Sequence, residues 1–185
     1  MMEKKTGVLL YPLFSEYEIT VALSILKQGK HPITTIGISA GPILGESDLA
    51  CIPDQTIYDV DIESLDSLLL PGCMDITTLY DRQDVVDFIK RCSDTLKNLV
   101  IASISSSPYL LARAGLLENR KYTVGMLESE RRITGVFQED HYSNDLVVLD
   151  GNILTARGRG FIPFGVRLGQ LLNLEFDPKW YLANE

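Results

Sequence analysis

The stretch Ala102-Ser103-Ile104-Ser105-Ser106-Ser107-Pro108 joins an apolar run to a cluster of small residues and a proline. Such a run predicts a core strand that turns sharply into a helix, with Ser105 at the bend. In α/β proteins this junction is where a nucleophile is held up for chemistry. Ser107 followed by Pro108 suits the start of the helix, because Ser caps and Pro fits the first helical position. Gly115 is expected to end it.

Outward from this turn, residues 99–104 form the strand that feeds it. Residues 67–70 read as another core strand, closed by Pro71-Gly72-Cys73, and Val85, Phe88, Ile89 and Cys92 mark the inner face of the helix between the two. Residues 6–11 make a first strand, apolar on both faces as in a parallel sheet covered on both sides, and Pro12 ends it. Ser15-Glu16-Tyr17-Glu18 fits a capping box, after which Ile19, Ala22, Leu23 and Leu26 recur at helical spacing until Gly29. Residues 33–39 give a second strand, and 41–59 a hairpin excursion. Downstream, 121–124 reads as a further strand, while 128–145 is polar and carries no assignable pattern. Residues 146–150 and 153–156 flank Gly151-Asn152 as a hairpin, and 163–172 form a last helix. The alternation predicts an α/β fold: a three-layer, flavodoxin-like sandwich with a mainly parallel central sheet, one domain over residues 1–185. Its ligand crevice should lie at the carboxyl ends of the strands.

Composition narrows the function classes. With 185 residues, 45% hydrophobic, the chain can bury a sizeable core, and a formal net charge of -8 without any Lys/Arg run repels phosphate backbones and anionic lipid. A small-molecule ligand or substrate is the expected partner, rather than nucleic acid or membrane. The first apolar run, 7–11, is too short for a signal segment or a membrane span, so a cytoplasmic location is expected. Cys51, Cys73 and Cys92 match no zinc spacing and are expected as free thiols; no metal or cofactor is indicated. His31 and His141 read as surface histidines, and nothing in their spacing sets either beside Ser105.

The segment Pro108-Tyr109-Leu110-Leu111-Ala112-Arg113-Ala114-Gly115-Leu116-Leu117 resembles the helix after the nucleophile elbow in the DJ-1/ThiJ/PfpI superfamily. Glu16-Tyr17-Glu18, Leu70-Pro71-Gly72 and Asp150-Gly151-Asn152-Ile153-Leu154-Thr155-Ala156-Arg157-Gly158 extend the resemblance over nearly the whole chain. It implies a class I glutamine-amidotransferase-like sandwich and a homodimer. It also implies roles: Ser105 matches the family's elbow cysteine, Glu18 the carboxylate beside it, and Gly125 a histidine that many relatives carry. Where relatives usually have Pro-Gly-Gly, this chain has Pro71-Gly72-Cys73.

A thiolate is a strong nucleophile, whereas a serine hydroxyl needs a general base. Glu18 is a weak base for it, since an ordinary carboxylate titrates near about 4. The Ser106 and Cys73 N–H groups, with Gly72 in the same turn, are candidates to converge on an oxyanion. Arg157 and Arg159, set among Gly158 and Gly160 ahead of the last helix, offer charge to an anionic ligand group. Each also has a plainer reading: helix capping for the serines, the capping box for Glu18, a small turn residue for Cys73, solvation for the arginines. The leading expectation is a small-molecule-binding or stress-related regulatory protein with little thiol chemistry. The alternatives are a Ser-dependent hydrolase, amidase, peptidase or glyoxalase/deglycase-like enzyme using Ser105 and Glu18, and thiol chemistry at Cys73.

Overall fold

In the computed structural model, which describes residues 4–181, the central strand β1 (Lys5–Leu10) is buried from Thr6 onward. That burial explains why its sequence lacks the alternation of a half-exposed strand. It pairs in parallel with β2 (Ile33–Gly37) on one side and β6 (Leu65–Leu70) on the other. The two-residue pairs β3 (Ile43–Leu44) and β4 (Ala50–Cys51) form a separate antiparallel ribbon, and β5 (Gln55–Thr56) rejoins the main sheet as its edge beside β2. Beyond β6 lie β7 (Val100–Ile104), β9 (Ile153–Ala156) and, antiparallel at the far edge, β8 (Val147–Asp150). The seven-stranded order is β5-β2-β1-β6-β7-β9-β8.

Helices α1 (Glu16–Gln28) and α2 (Gln83–Thr95) follow strands whose next parallel neighbour lies in opposite directions along the sheet. Right-handed crossovers therefore put them on opposite faces. α5 (Phe161–Leu171) packs on α1, and the short α3 (Pro108–Arg113) packs on α2 and β7, giving the three layers. Leu9, Leu68, Leu69, Ile101, Ala102 and Leu154 are fully buried in the sheet, as the apolar runs require. The predicted inner face of α2 is buried as expected, Cys92 included. Among the described residues no helix is long and apolar enough to cross a membrane.

Three sequence expectations change. Residues 122–124 are buried, but the 121–124 stretch makes no strand: Tyr122 forms a single bridge with Tyr142, and the Thr123 N–H is donated to the Thr155 hydroxyl. Both sides of β9 are already paired, to β7 and β8, and the Tyr122 backbone is taken by the 141–143 turn: its N–H donates to the His141 carbonyl at 3.1 Å and its carbonyl accepts the Ser143 N–H at 2.8 Å. The unassigned stretch contains a helix, α4 (Glu128–Thr134), in which Glu130 accepts the Leu127 N–H at 2.7 Å and Gly135 closes the end at φ +65°. Only Arg131 of its seven residues is buried, so the helix leaves no apolar periodicity to read. Finally, α5 begins at Phe161, which places Pro163 in its first turn, where a missing N–H costs no helical bond.

α5 approaches α1 at Gly165, where an added β-carbon would lie 2.7 Å from the Ala22 backbone nitrogen. Because backbone cannot yield as a flexible side chain does, Gly165→Ala should lower unfolding free energy by about 1–3 kcal/mol. Chemical denaturation checks it, and an unchanged midpoint would refute the close packing.

Candidate functional site

The elbow forms where β7 leaves the sheet. Ser105 sits at φ +63°, a left-handed conformation uncommon for any residue with a side chain. Backbone bonds on both sides hold it there: its N–H donates to the Ala156 carbonyl at 2.8 Å, and its carbonyl accepts the Gly125 N–H at 2.6 Å. Strain of this kind persists only where the surroundings over-determine it, and it clusters at functional sites.

Neither Ser106 nor Ser107 caps α3. The Ser107 hydroxyl, fully buried, contacts Ser103 Oγ, the Leu70 carbonyl and both backbone groups of Ile104, bracing the bend from below. The Ser106 hydroxyl accepts the Cys73 N–H at 3.0 Å and donates to the Cys73 carbonyl at 3.1 Å. Pro108 does occupy the first turn of α3, as expected.

Glu18 does not close a capping box either. Ser15 donates its hydroxyl to Glu46 at 2.9 Å, and the Glu18 carboxylate, 3% exposed, turns inward to accept the Gly72 N–H at 2.9 Å. Glycines let it sit against the elbow. A β-carbon at Gly72 would meet Glu18 Oε2 at 2.0 Å and Ser105 Cβ at 2.6 Å, and one at Gly158 would meet Glu18 Oε1 at 2.3 Å and Ser105 Oγ at 3.1 Å. Tyr17, absent from the sequence-based site, donates its hydroxyl to Glu18 Oε1 at 3.3 Å. Burial pushes the Glu18 carboxyl up from its ordinary value, against the pull of hydrogen bonds from Ser105, Gly72 and Tyr17.

These contacts correct the expected oxyanion site. The Gly72 N–H is committed to Glu18 and the Cys73 N–H to Ser106 Oγ, so neither is free to meet a ligand oxygen. The Ser106 N–H has no acceptor among the described residues, which leaves one donor at the turn. The Cys73 thiol lines the cleft above Ser105, but it faces the Pro12 and Asp75 carbonyls, and burial pushes it up from the usual thiol range. Arg157 is likewise displaced, since it lines a neighbouring cavity with Arg131, Arg132 and Tyr142.

The cleft over Ser105 has a volume of about 470 Å³ and is walled by residues 73–77 and Tyr80 on one side and by Gly125, Met126, Glu130 and Ile133 on the other. Gly125 keeps it open beside the elbow, because a β-carbon there would lie 3.1 Å from Ser105 Cα and 3.2 Å from Ser105 Oγ. Neither histidine lines it: His31 pairs with Asp66 at 3.1 Å, and His141 lies in a 3-10 turn after α4. The α4 wall came from the unpatterned segment, where sequence offered no signal.

A left-handed elbow at the carboxyl end of a parallel sheet, with a buried carboxylate beside it, defines an α/β protein of the nucleophile-elbow class. The chain belongs to the DJ-1/PfpI family, which it matches over residues 4–168. It is 26% identical over 160 residues to protein dj-1beta of Drosophila melanogaster, covering 86% of this chain and 83% of that one. It is 28% identical over 167 residues to general stress protein 18 of Bacillus subtilis, covering 88% and 93%. The crystal structure of the DJ-1 superfamily protein Atu0886 from Agrobacterium tumefaciens superposes with a TM-score of 0.82 at 22% identity, covering 96% of this chain and 93% of that one, a likeness of fold.

Two measurements probe the elbow. Ser105→Gly and Ser105→Ala both remove the hydroxyl, but only Gly relieves the left-handed backbone, so the Gly variant should be the more stable by about 1 kcal/mol in denaturant. Equal stabilities would mean the turn is unstrained. For Glu18, a folded pKa above the unfolded value means the native state holds the proton more tightly. Its contribution to stability is therefore full below the ordinary value of 4.5 and declines as pH rises from there through the raised folded value. Glu18→Gln, which cannot ionise, should gain in melting temperature relative to the parent across that window, and a constant difference would refute the shift.

Proposed function

We propose that this DJ-1/PfpI family member is a small-molecule-binding, stress-related regulatory protein. In this reading Ser105 stands where relatives carry the elbow cysteine, and little nucleophilic chemistry takes place. One observation carries it: the group beside the Ser105 hydroxyl is Glu18, a buried carboxyl already engaged by Gly72 and Tyr17, and neither histidine lines the cleft. A hydroxyl without a base of suitable strength is a poor nucleophile. The engaged Gly72 and Cys73 N–H groups support the same reading, because a single remaining donor stabilises an oxyanion weakly. A relative named as a general stress protein is consistent with a regulatory role. The proposal includes cytoplasmic location and homodimeric assembly, the latter implied by the family resemblance.

Glu18 favours a second reading. A carboxyl raised by burial moves toward the range in which it exchanges protons near neutral pH, which is what a Ser-dependent hydrolase or a glyoxalase-like enzyme would require. Assays of glyoxalase, deglycase, amidase and peptidase turnover on the parent and on Ser105→Ala separate the two. The binding reading expects no turnover that depends on Ser105. A substantial rate abolished by Ser105→Ala, with covalent labelling of Ser105 by a serine-directed probe, would overturn it in favour of the enzyme.

A further inference from the structure

α4 divides its side chains between two cavities. Glu130 and Ile133, three residues apart and so on one side of the helix, line the cleft over Ser105, whereas Arg131 and Arg132, the latter paired with Glu128, line the neighbouring cavity. Arg131 is held there by the Glu139 carboxylate at 2.8 and 3.0 Å and by the Tyr142 ring, 3.6 Å from its guanidinium. Arg113, close to the cleft at Tyr80, is engaged by the Leu79 and Tyr80 carbonyls and by Gln83. The charged side chains that line the cleft are thus two carboxylates, Asp75 and Glu130. Each uses one oxygen internally: Asp75 Oδ1 accepts from the Thr77 N–H and hydroxyl, and Glu130 Oε2 from the Leu127 N–H. The second oxygen of each has no donor among the described residues.

Apolar side chains stand around these charges. Met74 and Ile133 are 67% and 85% exposed at the cleft, and Ile76 and Met126 form more buried parts of its wall. Large apolar groups left in solvent around a cavity mark a surface that a ligand covers. A carboxylate or phosphate ligand would meet two like charges with no cation on the lining, while a cation would meet two carboxylates with free oxygens.

We infer that this cleft takes a small amphipathic cation, its ammonium or amidinium group paired with Asp75 and Glu130 and its apolar body against Met74, Ile76, Met126 and Ile133. The assignment rests on the binding reading of the site and names the ligand class for it. Benzamidine, benzamide and benzoate share one ring and differ in charge, so titrating each into the isotope-labelled full chain and following amide shifts reads the preference directly. Benzamidine should move the Ser105, Ser106 and Gly125 signals and bind at least about tenfold more tightly than benzoate. Glu130→Gln keeps the capping acceptor and removes the charge, and should weaken benzamidine about two- to fivefold. Ile133→Lys, at an exposed helical position, should narrow or invert the order of benzamidine and benzoate. Benzoate binding as tightly as benzamidine, no binding by any of the three at millimolar concentration, or indifference to both substitutions would overturn the assignment. Turnover lost in Ser105→Ala would instead end the binding-only reading, so the two failures are distinguishable.

Discussion

The bond from the Gly72 N–H to the Glu18 carboxyl joins two parts of the chain that are remote in sequence. It ties the first helix to the loop after β6, where both lie against the elbow at Ser105. A buried carboxyl is costly unless its oxygens are satisfied, so the site is organised around supplying donors to it. Glycine at 72 and 158 gives the carboxyl room, and the Tyr17 hydroxyl reaches its second oxygen. Once Glu18 turns inward, the start of α1 needs partners from elsewhere. The β3–β4 ribbon supplies contacts there: Glu46 accepts from the Ser15 hydroxyl, and Glu16 accepts the Ser47 N–H. The excursion thus braces the helix that carries the carboxyl.

The serine run has a division of labour set by geometry. Ser105 takes the left-handed bend and points its side chain toward Glu18. Ser107 and Ser103 share a buried hydroxyl pair under the turn at 2.7 Å. Ser106 clasps both backbone groups of Cys73, which locks the two loops at the strand ends together. That clasp rigidifies the site and also removes a donor from it. With the Gly72 and Cys73 N–H groups engaged, the turn offers a developing negative charge the Ser106 N–H alone among its three candidate donors.

Family membership accounts for the scaffold, and likeness of fold to the Agrobacterium protein extends over nearly all of both chains. The cleft's walls set what its interior presents to a ligand. α4 turns its cations and Glu128 away and Glu130 inward, and Gly125 leaves open the space beside Ser105. In an acidic chain the two carboxylates add a local field to an already unfavourable approach for anions.

Much of the framework could be read from sequence because buried strands and amphipathic helices leave local signatures. The apolar runs at β1, β6 and β7, the periodic face of α2, Pro108 at the start of α3 and the turn at Ser105 all follow from residues adjacent in the chain. The expectation of Glu18 beside Ser105 came from the family resemblance and not from any local pattern. What sequence could not decide is which partner each polar group chooses. Ser15-Glu16-Tyr17-Glu18 is a valid capping box by local chemistry, yet Glu46 and Gly72, 31 and 54 positions away from their partners, took its two ends. The Cys73 N–H was a reasonable oxyanion donor until Ser106 accepted it. Residues 121–124 had the composition of a strand, but the Tyr122 backbone paired with His141 and Ser143 instead of the main sheet, and α4 had a helix's geometry without a buried stripe to reveal it. Local sequence determined the elements and the elbow. Competition among distant donors and acceptors for a limited set of buried partners, which exists only once the chain is folded, decided the site.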